Sequence, residues 1–322
     1  MKIGILATGA ITHSVVPTLL KMDEIECYAV ASRTLEKAED FKNQYGFSKA
    51  YGSYEAMLKD QEVELVYVAS PHSHHYEHMM LCIDHNKPVI CEKAFTLNAR
   101  QAKVIKEYAQ KKNVFVTEAI WTRYMPSRKI IEDVLKENLI GKIKTLTANL
   151  YYNVGHRERL SDPRLAGGAL LDVGVYCVNF ASMFFGYDIE RIETSAHMTE
   201  SGVDGDNSIT IYYKDGRSAV LTDGIFARSD RKGIFYGEKG YIIVENINNP
   251  QSISVFDDND VLLKNYVVPS QISGYEYEFE ECVKAINEGR IESYSMPLDE
   301  TVKILEIMDT VREKWGLRYP ME

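Results

Sequence analysis

Cysteine is sparse and poorly placed for cross-linking. The five present, Cys27, Cys82, Cys91, Cys177 and Cys282, are scattered, odd in number and form no C-x-x-C pair. Neither a disulfide framework nor a thiolate zinc site is expected, and the thiols fit a reducing cytoplasm, where cysteine serves as a small buried apolar residue. Long apolar runs are missing too: no uninterrupted stretch approaches the roughly 18 to 20 residues that span a bilayer, so no membrane contact is expected. The opening MKIGILATGA is apolar too briefly for a secretory leader and leads into a turn and a helical pattern. Positive charge is not in excess. Thirty-seven Lys and Arg against 47 Asp and Glu give a formal net charge of −10, which argues against coating nucleic acid and leaves room only for a local basic group that binds one phosphate. There is no internal repeat, low-complexity tract or Gly/Ser-rich linker. What remains is a globular chain of 322 residues, 45% hydrophobic, long enough to predict two domains.

Two rhythms divide it. Up to about Ile120, short apolar runs (KIGILA, CYAVAS, LVYVAS, PVICEK, VFVTEAI) alternate with segments such as LEKAEDFKNQYG and LNARQAKVIKEYAQKKN. The runs are apolar on both faces, as strands buried between helix layers are, and the segments between them are apolar at helical spacing with a closing Gly or Asn. Residues 1–120 are therefore predicted as an α/β domain, a doubly wound parallel sheet that binds ligands at the carboxyl ends of its strands. Residues 121–322 read differently. After the helical patterns PSRKIIEDVLKEN and ALLDVGVYCVNFASMFFG, strand-like stretches follow one another across D-G, E-K-G and N-N-P turns, and two helices close the chain. That predicts an α+β domain with a mainly antiparallel open sheet.

The first strand ends in Ala7-Thr8-Gly9-Ala10-Ile11-Thr12, the frame of a G-x-G-x-x-G dinucleotide loop with only its middle glycine. Alone, it reads equally as a nucleotide loop at Thr8, Gly9, Ala10 and Ile11 or as an ordinary strand-turn-helix. The second strand ends in Ser32-Arg33-Thr34, with no acid for the ribose hydroxyls of NAD, and an arginine fork suits a 2′-phosphate. The bland alternative is a solvated arginine at a helix start. Ser70, Pro71, His72 and His75, in ASPHSHHYEH, follow the next strand, where a nicotinamide ribose would lie. His74 and His78 sit one helical turn apart, but no matching set of further ligands is evident, so no metal is expected.

VICEKAFTLNARQA, ending a strand in Glu92-Lys93, makes the pattern recognisable. With GILATGAI, ASPHSHH, EAIWTRY, GGALLDVGVYCVNF and GYEYEFEECVKAI, the chain resembles the glucose-fructose oxidoreductase/inositol dehydrogenase (Gfo/Idh/MocA) family over essentially its whole length, and within it the dimeric dihydrodiol dehydrogenase (D-xylose dehydrogenase) branch. The resemblance implies an NAD(P)-dependent oxidoreductase acting on a sugar, polyol or diol, with a second domain that often supports a dimer or tetramer. It implies cofactor contacts at Glu92, Lys93, Trp121 and Arg123. The family's E-K-P reads Glu92-Lys93-Ala94 here, and its D-x-G-x-H reads Asp172-Val173-Gly174-Val175-Tyr176, with the tyrosine of the dihydrodiol branch in place of the histidine base.

The chemistry those residues carry follows from the reaction. Oxidising an alcohol needs a group for the hydroxyl proton while hydride leaves carbon, and a phenol, ordinarily near pKa 10, serves as that base when an ammonium lies beside it. Lys93 and Tyr176 are the expected pair, and Asp172, one helical turn before Tyr176, is expected to orient substrate and support Lys93. The alternatives are a capping or paired carboxylate at Asp172, plain core at Tyr176 and domain-junction packing at Trp121. Arg157, Arg159 and Arg164, in GHRERLSDPR, offer charges that could bind substrate but read as exposed loop charges. NADP is the expected cofactor, with NAD compatible. An NAD-dependent inositol or sugar dehydrogenase and a non-catalytic NAD(P)-binding regulator are the other readings.

Overall fold

The computed structural model describes Met1–Glu322, and the chain divides into two compact units. The first comprises Met1–Tyr124 and Gln271–Val302, the second Met125–Ser270 and Lys303–Glu322.

In the first unit, β1 (Lys2–Leu6), β2 (Glu26–Ala31), β3 (Lys49–Tyr51), β4 (Leu65–Val68), β5 (Val89–Glu92) and β6 (Val116–Ala119) form a parallel sheet in the order 3-2-1-4-5-6. Helices α1 (Thr12–Leu19), α2 (Leu35–Tyr45), α3 (Tyr54–Leu58), α4 (His75–Asp84) and α5 (Ala99–Lys112) alternate with them. Every residue of β4, β5 and β6 is buried, which is why these strands read as continuous apolar runs. The helix signals are physical: the side chains of Thr34 and Asn98 accept from Lys37 N and Gln101 N at the starts of α2 and α5, and Gly46 and Asn113 end them in the left-handed conformation. Strand order reverses between β1 and β4, so the crevice at their carboxyl ends is where such a sheet receives a ligand. The sequence pattern passes over β3, a three-residue edge strand with no buried residue.

In the second unit, eight strands lie in the order β14-β13-β12-β11-β7-β10-β9-β8: β7 (Ile143–Tyr151), β8 (Ile189–Met198), β9 (Asp204–Tyr213), β10 (Ser218–Gly224), β11 (Gly233–Gly237), β12 (Gly240–Val244), β13 (Ser252–Asp257) and β14 (Leu262–Val267). All pairings are antiparallel except β7 with β10. Along β7 and β9 burial alternates, so one face is core and the other partly open. The helices are α6 (Pro126–Lys136), α7 (Glu158–Ser161) and α8 (Val175–Phe185), preceded by a π-helical stretch at Leu170–Gly174. Phe180 and Phe184 of α8 pack on Phe235 of β11, and a Cβ at Gly233 would strike the Phe180 ring at 2.5 Å. Pro163–Phe185 is long and apolar enough by composition to cross a membrane, which the search for uninterrupted runs misses, but most of it is buried within the protein.

The division differs from 1–120 and 121–322 by a boundary after Tyr124 and, chiefly, because the chain returns to the first unit near its end. There α9 (Glu276–Asn287) sets Phe279, Cys282 and Ala285 into the core formed by Ile3, Ile5, Val16, Leu19 and Tyr67. Phe279 meets Tyr67 edge to face, with ring centroids 5.5 Å apart. The boundary then falls inside α10 (Leu298–Trp315), between Val302 and Lys303. Helical periodicity shows that α9 has an apolar face but not which sheet that face covers.

Candidate active site

The loop after β1 keeps a dinucleotide-loop backbone with fewer glycines. Ala7, at the first glycine position, has φ +78°, the left-handed conformation that normally selects glycine. A Cβ on Gly9 would come within 3.2 Å of the Ala69 carbonyl at the end of β4, so its absence permits the close approach. Thr12 closes the turn: its amide and hydroxyl both donate to Gly9 O, at 3.1 and 2.6 Å. Thr8, Gly9 and Ile11 are half-buried and Ala10 is exposed. Helix α1 begins without a side-chain cap; its Thr12 and Ser14 amides are taken by Gly9 O and Ile11 O, and the helix dipole favours an anion at that end.

At the end of β2, Ser32 is buried and its amide donates to Tyr51 O (3.1 Å), while Arg33 is exposed. Burial raises the Tyr54 phenol and the charge of Arg33 works against that rise, which places the guanidinium near Tyr54. Tyr54 meets His78 edge-on, and His78 Nδ1 lies 2.9 Å from Ser70 Oγ. These contacts join the ends of β2 and β4. Burial lowers the His78 pKa to about 4.

His75 departs from its expected role. It is wholly buried, with Nδ1 2.8 Å from Ala94 O and Nε2 2.8 Å from Ser70 O. Burial pushes its pKa down to about 4, with Lys93 adding to the effect against the two carbonyls, so the neutral ring donates to one carbonyl and faces the other. With both ring nitrogens engaged behind the loops, His75 clamps the loop after β4 to the residue after Lys93 rather than contacting a cofactor. His72 is buried edge-on against it, and Pro71 is exposed. Glu92 is buried and accepts from the Tyr67 hydroxyl, Lys93 is half-buried, and the Lys93–Ala94 peptide is cis.

Arg123 and Trp121 also have partners the sequence does not announce. The Arg123 side chain is fully buried and ion-paired to Glu300, and Trp121 stacks on Tyr275 at 4.4 Å. Neighbouring Glu118 accepts from Phe95 N (3.2 Å) and Thr301 Oγ1 (3.1 Å), yet burial still raises its pKa to about 7.

In the second unit, Asp172 lies in the π-helical stretch and Tyr176 in the first turn of α8. From Ala166 to Ser182 every residue is buried except Tyr176, which is half-buried; this counts against plain core, because a core tyrosine would share the burial of its neighbours. Asp172 is buried, and Arg159 Nη1 donates to its Oδ1 at 3.0 Å. Arg159 is thus a charge partner of a candidate residue. Arg164 instead pairs with the nearby Asp162. No three or more His, Cys, Asp or Glu side chains are grouped to hold a metal ion.

The GFO/IDH/MocA oxidoreductase family model, an NAD-binding Rossmann fold, matches residues 1–120, and the GFO/IDH/MocA C-terminal domain matches 129–243. Trans-1,2-dihydrobenzene-1,2-diol dehydrogenase of Mus musculus is 32% identical over 99% of this chain and 98% of its own length, and that of Xenopus tropicalis 33% over 99% of both. The chain belongs to the GFO/IDH/MocA oxidoreductase family. A 3-ketoreductase from Actinomadura kijaniata, solved with NADP and TDP-benzene, shares the fold with a TM-score of 0.89 over 97% of each chain, at 22% identity. As a GFO/IDH/MocA member the protein is an NAD(P)-dependent oxidoreductase. Motif reading of this GFO/IDH/MocA chain finds the loop, the strand ends and the Asp-x-Gly-x-Tyr segment, sets Arg159 aside and misses Glu118. Of these only Arg159 carried a signal, as one of several arginines just before the segment.

Proposed function

We propose that the protein transfers hydride between NADP(H) and a hydroxyl-bearing carbon of a vicinal diol, sugar or polyol. The observation that carries this reading is Tyr176, the one accessible side chain of an otherwise buried helical run, four residues beyond the Arg159-paired Asp172. The dihydrodiol dehydrogenase relatives match over almost the whole chain, which supports a diol-type substrate.

The first unit suits a dinucleotide: Ala7 is left-handed, Gly9 lacks a Cβ where the backbone passes Ala69, and α1 is uncapped by side chains. Thr8, Gly9, Ala10 and Ile11 would hold the pyrophosphate, Ser32 and Arg33 the adenosine ribose and its 2′-phosphate, and Ser70, Pro71, His72, Glu92 and Lys93 the nicotinamide half. When bound, the nicotinamide accepts or supplies the hydride. Tyr176 Oη takes the substrate hydroxyl proton in oxidation and returns it in reduction. Lys93 would supply the ammonium that favours alkoxide character on the substrate oxygen. Asp172, buried and paired with Arg159, orients the substrate beside Tyr176. An exposed Arg33 with no acid at the β2 end favours NADP over NAD. The partly open outer face of the eight-stranded sheet, with Val220 and Tyr236 exposed, is the surface on which a homo-oligomer would form.

The test is a screen of purified protein with NADP(H) and NAD(H) against diols, sugars and inositols, followed at the nicotinamide absorbance. Turnover with NADP(H) on a diol or sugar is expected. Intact cofactor binding with no turnover anywhere would favour a regulator.

A further inference from the structure

The second unit buries two carboxyls and an amide that the proposed chemistry does not use. Asn207 of β9 and Asp223 of β10 are direct cross-strand partners on the core-facing side, in register with Ile209, Ile211, Ala219 and Leu221. Asp204 lies at the start of β9. Both amide hydrogens of Asn207 are used: Nδ2 donates to Asp204 Oδ2 (3.1 Å) and to Asp223 Oδ1 (2.8 Å). Asp204 Oδ2 also accepts from Leu170 N at 2.7 Å, the first residue of the π-helical stretch. Asp204 Oδ1, Asn207 Oδ1 and Asp223 Oδ2 are buried without a hydrogen-bond partner.

Two glycines show what the carboxyls press against. A Cβ on Gly168, at φ +112°, would fall 2.1 Å from Asp204 Oδ1, and a Cβ on Gly174 would fall 2.7 Å from Asp223 Oδ2. One carboxyl therefore abuts each end of the segment that carries Asp172 and leads into Tyr176. The glycine of Asp-x-Gly-x-Tyr is accounted for by this contact.

We propose that Asp204, Asn207 and Asp223 are positioning residues, an acid–amide–acid bridge that clamps the turn at Leu170 and Gly174 and thereby sets where Asp172 and the Tyr176 hydroxyl stand. The proposal rests on the reading of Tyr176 as the proton-handling residue. The other titratable groups facing the bridge supply no direct cation. Tyr319 lies toward Asp204, its hydroxyl donating to Gly167 O, with Arg312 and Glu322 beyond it; Arg312 is engaged by Asp309 and Glu322. Cys177 and Asp206 lie toward Asp223, with Tyr151 beside them and His197 on Asp206. Burial accordingly raises Asp204 to about 6 and Asp223 well above the usual carboxylate range.

The test follows the Tyr176 signal by NMR on protein carrying 13C-labelled tyrosine, assigned by loss in Tyr176→Phe, in Asp204→Ala, Asp223→Ala, Asp204→Asn and Asp223→Asn. The alanine variants are expected to move that signal and to lower kcat at least tenfold, with the NADPH Kd within twofold of the parent. The asparagine variants, which keep an acceptor in place, are expected to restore both. Should the variants fail to fold, the parent protein suffices: the Tyr176 signal is expected to shift with pH in step with the Asp204 carboxyl carbon. A Tyr176 signal indifferent to every substitution and to pH overturns the proposal, as does an alanine variant that loses thermal stability while keeping kcat. A responsive signal without turnover on any diol or sugar upholds the clamp and counts against the substrate reading alone.

Discussion

The two units hold their candidate residues by different means. In the first, the backbone sets the geometry at the nucleotide loop: a left-handed Ala7 and a Cβ-free Gly9 beside the Ala69 carbonyl. In the second, buried side chains set it: Asp204 on Leu170 N, Asp223 against Gly174, and Arg159 on Asp172. A backbone-made site tolerates side-chain change and governs what lies against the main chain, here the cofactor. A site held by side chains concentrates its chemistry in a few atoms. Substitutions in the second unit are therefore expected to strike turnover, and those in the first to strike cofactor affinity.

The largest expected effect tests the second unit. Tyr176→Phe removes one hydroxyl from the half-buried residue and is expected to lower kcat by ~10²- to 10⁴-fold, the range of a lost general acid-base, while NADPH affinity stays unchanged in a fluorescence titration. Turnover near that of the parent would remove Tyr176 from proton transfer and erase the contrast. Arg33→Ala tests the first unit. Loss of a charged contact to a 2′-phosphate is expected to weaken NADPH by roughly 1.5 to 3 kcal/mol, about ten- to a hundredfold, with NADH little changed. Equal losses for both cofactors would mean that Arg33 does not read the phosphate.

The same contrast explains what the sequence discloses. Strands β4, β5 and β6 are buried on both faces and stand out as apolar runs, and the loops at their ends carry short motifs in a fixed frame. The second sheet is legible through its alternation and turns, except at β14, whose residues are almost all exposed. Side-chain partners far apart in the chain leave no local trace: Leu170 and Asp204 are 34 residues apart, Arg123 and Glu300 177. Asp223 reads as one polar residue at the end of RSAVLTDGIF, and only the register with Asn207 reveals it as a core position. The return of α9 to the first unit belongs with these, since an apolar helix face does not name its partner.

Buried acids sharpen the comparison from the opposite side. Those of the second unit are bridged by Asn207, whereas Glu278 of α9 in the first is wholly buried with both carboxyl oxygens lacking a hydrogen-bond partner. Burial, and then the charge of Glu92, raise it well above the usual range. A carboxyl whose folded pKa exceeds its unfolded value contributes stability that is fully present below the unfolded value and is lost as pH climbs through the folded one. Glu278→Met is therefore expected to match the parent near pH 4.5 and to gain on it above, by up to ~1.4 kcal/mol per pH unit, in urea titrations of the first unit's transition. A variant less stable than the parent at pH 8 would show that the charged carboxyl is held by something favourable, as Asp204 is by Leu170 N.

The smallest expected effect bears on the backbone half of the contrast. An L-residue held in the left-handed region costs ~1 to 2 kcal/mol, and glycine removes that cost while adding ~0.5 to 1 kcal/mol of unfolded-chain entropy. Ala7→Gly is therefore expected to raise stability by about 0.5 kcal/mol, seen as a small increase in Tm, and to leave the NADPH Kd where it was, because the main chain already follows the path that glycine would allow. Ala7→Val, which brings a branched side chain to the same φ, is expected to lower stability and cofactor affinity together. If Ala7→Gly instead changed cofactor affinity strongly, the methyl group itself would be part of the binding surface, and the first unit would owe its site to side chains much as the second does.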